Sequence, residues 1–149
     1  MNIRPFRDND FPAILDIYAN SKLDELRFEN EAFELLPLEE DGIRLAGLRE
    51  SEIYVYDDGG VVGYCALFGS EIRALFVCPS ARGKGIGKSL LEFILLKVLG
   101  SVSLYVAKTN VPAKQLYYNF GFRITNEFET TYNGVEVLAN KMVRSEANQ

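Results

Sequence analysis

Arg82-Gly83-Lys84-Gly85-Ile86-Gly87-Lys88-Ser89 is the stretch on which the reading of this chain turns. A run with strand character, Ile72 to Val77, precedes it, and an apolar-periodic run, Leu90 to Leu99, follows. A glycine-rich turn between a strand and a helix presents several backbone N–H groups at the positive end of the helix dipole. That arrangement binds phosphate oxygens. Gly83, Gly85 and Gly87 let a bulky polyanion approach the main chain with no Cβ in the way. Arg82, Lys84 and Lys88 add positive charge at the same place. Glycine is a weak helix former, so a helix start alone is a poor account of three glycines so close together.

Spacing decides which phosphate ligand is meant. The P-loop, Gly-x-x-x-x-Gly-Lys-Ser/Thr, matches in its second half, Gly87-Lys88-Ser89, but its first glycine falls on Arg82. Nucleotide hydrolysis also needs a strand-end Asp for magnesium, and no Asp occurs after the loop. The dinucleotide pattern Gly-x-Gly-x-x-Gly fails because the third glycine comes one residue early. Arg82-x-x-Gly85-x-Gly87 instead resembles the pyrophosphate loop of the GNAT superfamily of acyl-CoA N-acetyltransferases.

A second segment carries the same resemblance. Asn110-Val-Pro-Ala113-Lys-Gln-Leu-Tyr117-Tyr-Asn-Phe-Gly121-Phe122 is similar to the other GNAT signature, Asn-x-x-Ala-x-x-x-Tyr-x-x-x-Gly-Phe, at every marked position. Asn110 reads as an N-cap, and Pro112 sits in the first turn, where a missing N–H costs little. Asn110, Ala113 and Tyr117 then share one helix face, while Leu116 and Phe120 turn toward the core. Gly121 closes the helix and Phe122 begins the next strand. Tyr117 shares the Asn110 face and its neighbour Tyr118 does not. Without the resemblance, Tyr117 would read as an ordinary core tyrosine. The likeness runs from Ile3 to Met142 and is most specific over residues 71–122.

Length and composition predict one domain over residues 1–149: 149 residues, 48% hydrophobic, can bury one proper core. The first residues lack a basic region followed by an apolar run, and the longest apolar stretch, Leu90 to Leu99, is too short to span a bilayer. A cytoplasmic protein is expected, with Cys65 and Cys78 as reduced thiols. With no His and no Cys-x-x-Cys pair, no metal site is expected. Charge is uneven. The net −5 arises from an acidic first part, with Asp24, Glu25, Glu29, Glu31, Glu34, Glu39, Glu40 and Asp41, and a basic remainder holding the glycine loop. Overall acidity argues against nucleic acid. It favours a cationic acceptor, or else is a solvated face kept acidic for solubility.

The predicted elements are a strand over Asn2 to Pro5 and a helix capped by Asp8 or Asp10 that ends near Ser21, with Tyr18 on its inner face. A loop or partial helix over residues 22–36 precedes a helix from Pro37 to Leu48. A hairpin, Glu52 to Tyr56 and Val61 to Phe68, leads to a strand from Glu71 to Val77. The helix Gly85–Leu99 buries Ile86, Leu90, Ile94 and Val98. A strand from Val102 to Ala107, the Asn110 helix and a last hairpin turning at Asn133-Gly134 complete the chain. This order matches the GNAT fold: α/β (α+β), a mixed, mostly antiparallel central sheet with helices on both faces.

The resemblance implies the chemistry. GNAT relatives pass the acetyl group of acetyl-CoA directly to a primary amine through a tetrahedral intermediate. By that likeness, acetyl-CoA is the cosubstrate and its pyrophosphate rests on the N–H groups of Arg82, Gly83, Lys84, Gly85, Ile86, Gly87 and Lys88, beside Ser89. Its pantetheine arm pairs with the edge of Leu75, Phe76 and Val77, and the Leu75 N–H stabilises the oxyanion. Asn110, Ala113 and Tyr117 complete the cofactor face. Tyr117 is the candidate acid for the departing thiolate, and Glu71 the candidate base, a solvent-facing strand residue being its plain alternative. The acceptor site is expected from residues 18–48 and the hairpin around Tyr132, with Phe28, Phe33 and nearby carboxylates as candidate walls. A homodimer is compatible with the family. The competing classes are a non-catalytic acetyl-CoA or CoA-binding module and a small nucleotide-binding protein using Gly87-Lys88-Ser89.

Overall fold

A computed structural model describes residues 2–145. The strands are β1 (Ile3–Pro5), β2 (Glu52–Asp57), β3 (Val61–Phe68), β4 (Glu71–Val77), β5 (Val102–Ala107), β6 (Phe122–Tyr132) and β7 (Val135–Arg144). The helices are α1 (Phe11–Ser21), α2 (Gly42–Arg49), α3 (Ile86–Lys97) and α4 (Val111–Asn119). The strands form one seven-stranded sheet in the order β1-β2-β3-β4-β5-β7-β6. Only the central β4–β5 pair is parallel; the other pairs are antiparallel. This is the mixed, mostly antiparallel sheet that the element order implies.

Strand alternation builds two cores, one on each face. Val55, Tyr64, Ala66 and Phe76 face α1 and α2, where Ile14, Ile17 and Leu48 meet them. Their neighbours Tyr54, Cys65, Leu67 and Ile72 face α3, which brings Ile86, Leu90, Leu91 and Ile94. Each aliphatic side chain fully buried in this way contributes about 1.5–3 kcal/mol. Gly63 sets how close α3 lies. A Cβ there would stand 3.0 Å from the Phe76 carbonyl oxygen and 3.3 Å from Leu90 Cδ1.

Element ends depart from expectation for local reasons. Gly85 itself takes φ 78° and becomes the N-cap, so α3 begins at Ile86. It stops at Lys97, because Val98 is already extended and leads to Gly100 at φ 92° and on to β5. Val98 therefore does not join the buried helical stripe. The helix expected from Pro37 splits into a 3₁₀ turn, Leu38–Glu40, and α2. Asp41 forces the break, since its carboxylate caps α2 by accepting from the Arg44 amide at 3.2 Å. At the first helix, Asp8–Asp10 form a 3₁₀ turn, and the Asp10 carboxylate accepts from the Arg7 amide (2.8 Å) and from Arg4 (2.8 and 2.9 Å). Residues 22–36 hold a 3₁₀ stretch, Lys22–Leu26. The last hairpin turns at Asn133 (φ 48°) and Gly134 (φ 81°), the paired left-handed residues of a type I′ turn.

Candidate functional site

The parallel pair at the sheet's centre opens almost at once. β4 and β5 pair only through Glu71↔Ser103 and Ile72↔Leu104. On its other side β4 stays paired with β3 as far as Val77↔Gly63, with a register shift that leaves Arg73 unmatched. Such a bulge bends its strand, and it falls where the pairing with β5 ends. The Cys78 amide donates to the Val62 carbonyl at 2.7 Å, toward β3. By alternation, the main-chain polar groups of Leu75 and Val77 point the other way, into the opening. From that side Arg82 Nε (3.2 Å) and Ser21 Oγ (3.3 Å) both donate to the Val77 carbonyl. The Leu75 and Val77 amides face the gap with no strand to receive them.

The glycine loop stands at the mouth of this opening. Gly83 and Gly85 have φ of 80° and 78°, in the left-handed region that glycine enters without strain. A Cβ at either would meet nothing within 4 Å, so backbone conformation rather than crowding calls for glycine there. The Ser89 amide bonds to the Gly85 carbonyl at 3.0 Å and closes the first turn of α3. The amides before it belong to the orphan donors of a helix start. Arg82, Gly83, Gly85, Ile86 and Gly87 line the cleft; Lys84 and Lys88 extend into solvent, and Ser89 is not part of the wall. Arg82 is engaged across the mouth, where its Nη1 meets Asp24 Oδ2 at 2.5 Å.

The cleft has a volume of about 760 Å³. Its far wall comes from α4 and includes Asn110, Ala113, Leu116 and Tyr117. Asn110 occupies the N-cap position, but its side chain makes no capping bond. It is buried and lines the cleft. The Tyr117 ring packs edge-on against Phe122, centroids 5.8 Å apart. Burial, and secondarily the charge of Glu25, push the Tyr117 phenol well above its ordinary value, so it keeps its proton at neutral pH. Tyr118 is not part of this wall.

Glu71 is half-buried at the start of β4, its Oε2 3.7 Å from Arg73 Nε. Arg73 also bonds the Gly47 carbonyl (3.1 Å) and Glu50, and its guanidinium covers the Phe68 ring at 4.0 Å. A second cavity of about 300 Å³ adjoins the cleft under α1 and α2. Glu71, Leu75 and Tyr117 line both spaces, and so do Lys22, Glu25 and Arg44.

The expected acceptor walls fall only partly on these two spaces. Phe28 is exposed beneath the Arg27 guanidinium, and Phe33 packs on Tyr132 at 6.5 Å; neither lines either of these spaces. Glu31, Glu34, Glu39 and Glu40 are exposed, and only Asp24 and Glu25 of the acidic run reach the cleft. The segment is held by the last hairpin. The Leu36 amide donates to the Tyr132 hydroxyl at 2.8 Å, and Asn133 Nδ2 to the Glu34 carbonyl at 3.1 Å. Sequence reading missed Lys22, Arg44 and Arg73 on the wall. The i,i+3 spacing of Lys22 and Glu25 was the available signal for their 2.8 Å ion pair.

The residues present fit an extended thioester carrying a diphosphate. Free strand amides face the cleft, left-handed glycines open its mouth, and a neutral phenol waits at its inner end. Comparison with known proteins agrees. The sequence model described as "Acetyltransferase (GNAT) domain" matches residues 49–124. The peptidyl-lysine N-acetyltransferase YjaB of Salmonella typhimurium is 32% identical over 131 residues, covering 87% of this chain and 88% of that protein. The spermine/spermidine N(1)-acetyltransferase of Bacillus subtilis is 23% identical over 164 residues, covering 95% and 99%. Among solved structures, yncA of Salmonella typhimurium with its cofactor acetyl-CoA superposes with a TM-score of 0.69 at 18% identity, covering 98% of this chain and 94% of that one. The chain belongs to the GNAT acetyltransferase family, acyltransferases whose cosubstrate is acetyl-CoA. Among the described residues, no helix is long and apolar enough to cross a membrane.

Proposed function

We propose that residues 1–149 act as one N-acetyltransferase domain that moves the acetyl group of acetyl-CoA to a primary amine of a small molecule or peptide by direct attack. The observation that carries the reading is the splayed edge of β4, whose Leu75 and Val77 amides face a cleft ending at Tyr117. The loop amides of residues 82–88 hold the diphosphate, with Arg82 exchanging Asp24 for a phosphate oxygen. Val77 and its neighbours on β4 hold the pantetheine arm as an added strand. The Leu75 amide stabilises the oxyanion where negative charge develops. An alkylammonium cannot attack until it loses a proton, and Glu71 receives that proton directly or through water. The amine nitrogen then bonds to the acetyl carbon to give a tetrahedral intermediate. As this collapses, the carbon–sulfur bond breaks and Tyr117 protonates the leaving sulfur. The nitrogen's remaining surplus proton passes through water to restore the Tyr117 hydroxyl.

The names of the relatives supply two acceptor classes to try, lysine side chains in peptides and polyamines. We place the enzyme in the cytoplasm, alone or as a homodimer, with no nucleic-acid partner. The test follows free CoA release from acetyl-CoA over a panel of amines and lysine peptides. Turnover with at least one amine, beside thermal stabilisation by acetyl-CoA and not by ATP–magnesium, supports the reading. Stabilisation without turnover leaves a binding module. For the base, Glu71→Gln should lower turnover and change the pH–rate profile; a profile superimposable on the parent's removes Glu71 from the role.

A further inference from the structure

The Tyr18 hydroxyl is the one buried side-chain polar atom among the described residues with no hydrogen-bond partner. Tyr18 is 4% exposed and lines the 300 Å³ cavity beside Tyr117. Removing a hydroxyl from water without giving it a partner is unfavourable. Its ring position is explained by packing on Phe76, centroids 5.6 Å apart, but a phenylalanine would serve there equally well. Burial keeps the hydroxyl neutral, so it has a proton to donate.

What the cavity offers beside it is mostly more donors. Arg44 uses Nη1 on Asp41 at 3.1 Å, and Asp41 lies outside the cavity wall. A guanidinium has five N–H groups, so most of those on Arg44 are uncommitted. Among the described residues, Lys22 Nζ hydrogen-bonds only Glu25, at 2.8 Å. Both cations cover the Tyr132 ring, Lys22 at 5.3 Å and Arg44 at 5.0 Å, which holds them next to each other; Lys22 also stands 6.0 Å from the Tyr18 ring centre, and both line the cavity with Tyr18. Counting Arg73, three cations and two carboxylates, Glu25 and Glu71, face the space. A polycation finds little reward in such a wall. A ligand with an oxyanion at one end and an amine at the other satisfies both the spare donors and the carboxylates.

Resting on the transferase reading above, we propose that this cavity seats the acceptor and selects a primary amine that also carries a carboxylate, as amino acids do. The Tyr18 hydroxyl and the Arg44 guanidinium hold the carboxylate, and the amine is left facing Glu71 and the thioester end of the cleft. Tyr18 is then a specificity residue whose unpaired hydroxyl in the free protein is satisfied by substrate.

The test compares CoA release with the twenty amino acids against the corresponding amino acid amides, which keep the amine and lose the carboxylate charge. The parent should prefer at least one free acid over its amide by tenfold or more in kcat/KM. Tyr18→Phe should erase most of that preference, lowering kcat/KM for the acid about tenfold while the amide changes less than twofold. Because the hydroxyl is unpaired, the variant should melt no lower than the parent, and acetyl-CoA should stabilise it equally. Arg44→Gln should narrow the same acid-to-amide ratio. Amides, polyamines or lysine peptides turned over as well as the acids would overturn this proposal and leave the transferase reading standing. A Tyr18→Phe loss shared equally by acid and amide would also overturn it. No turnover with any amine would remove both.

Discussion

The cofactor side and the acceptor side proposed for this molecule are built in different ways. On that proposal, residues 71–122 make the cofactor side from main chain: a splayed strand edge, left-handed glycines and a helix start, with Tyr117 as the candidate reactive side chain. The acceptor side, from Tyr18 to Arg44, is made from side chains of a 3₁₀ stretch and two helices, strapped to the β6–β7 hairpin through Tyr132 and Asn133. Main-chain devices tolerate exchange of most side chains around them. Side-chain devices change their ligand with one substitution. The difference teaches that damage on the first side should appear in turnover and cofactor affinity, and damage on the second in acceptor handling.

The largest effect expected is at the seam. Tyr117→Phe keeps the ring against Phe122 and removes the proposed proton donor, so kcat should fall roughly 10²-fold or more, the usual scale for general acid catalysis. Acetyl-CoA binding, read by thermal shift, should hardly move. A parent-like kcat would break the assignment of Tyr117 to chemistry.

Next comes the loop. Gly85→Ala places a Cβ at φ 78°, where space is open but the backbone conformation disfavours it by about 1–2 kcal/mol. The loop should relax from its present shape, raising KM for acetyl-CoA with little change in acceptor preference. An altered acceptor preference would blur the division between the two sides.

On the acceptor side, Tyr132→Phe deletes the hydroxyl that takes the Leu36 amide at 2.8 Å. The expected loss is about 1 kcal/mol of stability. A rise in acceptor KM at unchanged acetyl-CoA KM would sharpen the comparison. The converse pattern would show that the strap shapes the cofactor cleft instead.

How much was legible in sequence follows the same divide. The loop and the Asn110 helix could be read because each demand there selects a residue type: glycine at the left-handed positions 83 and 85, glycine again at Gly121 (φ 91°), proline in a first turn. The order of elements along the chain and the Asn133-Gly134 turn were readable by the same logic of period two and positive φ. Asn110 was placed correctly, yet its side chain lines the cleft instead of capping, because position alone does not say where an amide points. The acceptor side resisted because its contacts join distant segments. Asp24 reaches Arg82, 58 residues on, and Leu36 reaches Tyr132, 96 residues on. Tyr18 read correctly as an inner-face residue, but no periodicity reports whether a buried hydroxyl has found a partner. Phe28 and Phe33 fall outside the two spaces for the converse reason, since aromatic residues in a polar loop resemble a pocket wall whether or not one exists.

The smallest effect expected on turnover concerns what holds the acceptor side to the sheet. The Asp10 carboxylate, just before α1, takes two N–H groups from Arg4 of β1 and the Arg7 amide. Chiefly that bond to Arg4, with the Arg7 amide assisting and burial opposing, holds the Asp10 carboxyl below the usual carboxylate range. A depressed folded value means the unfolded chain binds the proton more readily, so the tether's contribution is complete above the ordinary aspartate value near ~3.9. It is lost as pH falls through the depressed value. Asp10→Asn should therefore be less stable than the parent at pH 7, with the gap closing in strong acid, as read by urea unfolding at several pH values. Since α1 carries Tyr18, its loosening should weaken acceptor use at pH 7 while stabilisation by acetyl-CoA persists. A gap that stays constant into acid would mean that Asp10 contributes through shape and not through charge. The acceptor side would then be fastened by packing of Ile14 and Ile17 alone, in the same pH-indifferent way that the main chain fastens the cofactor side.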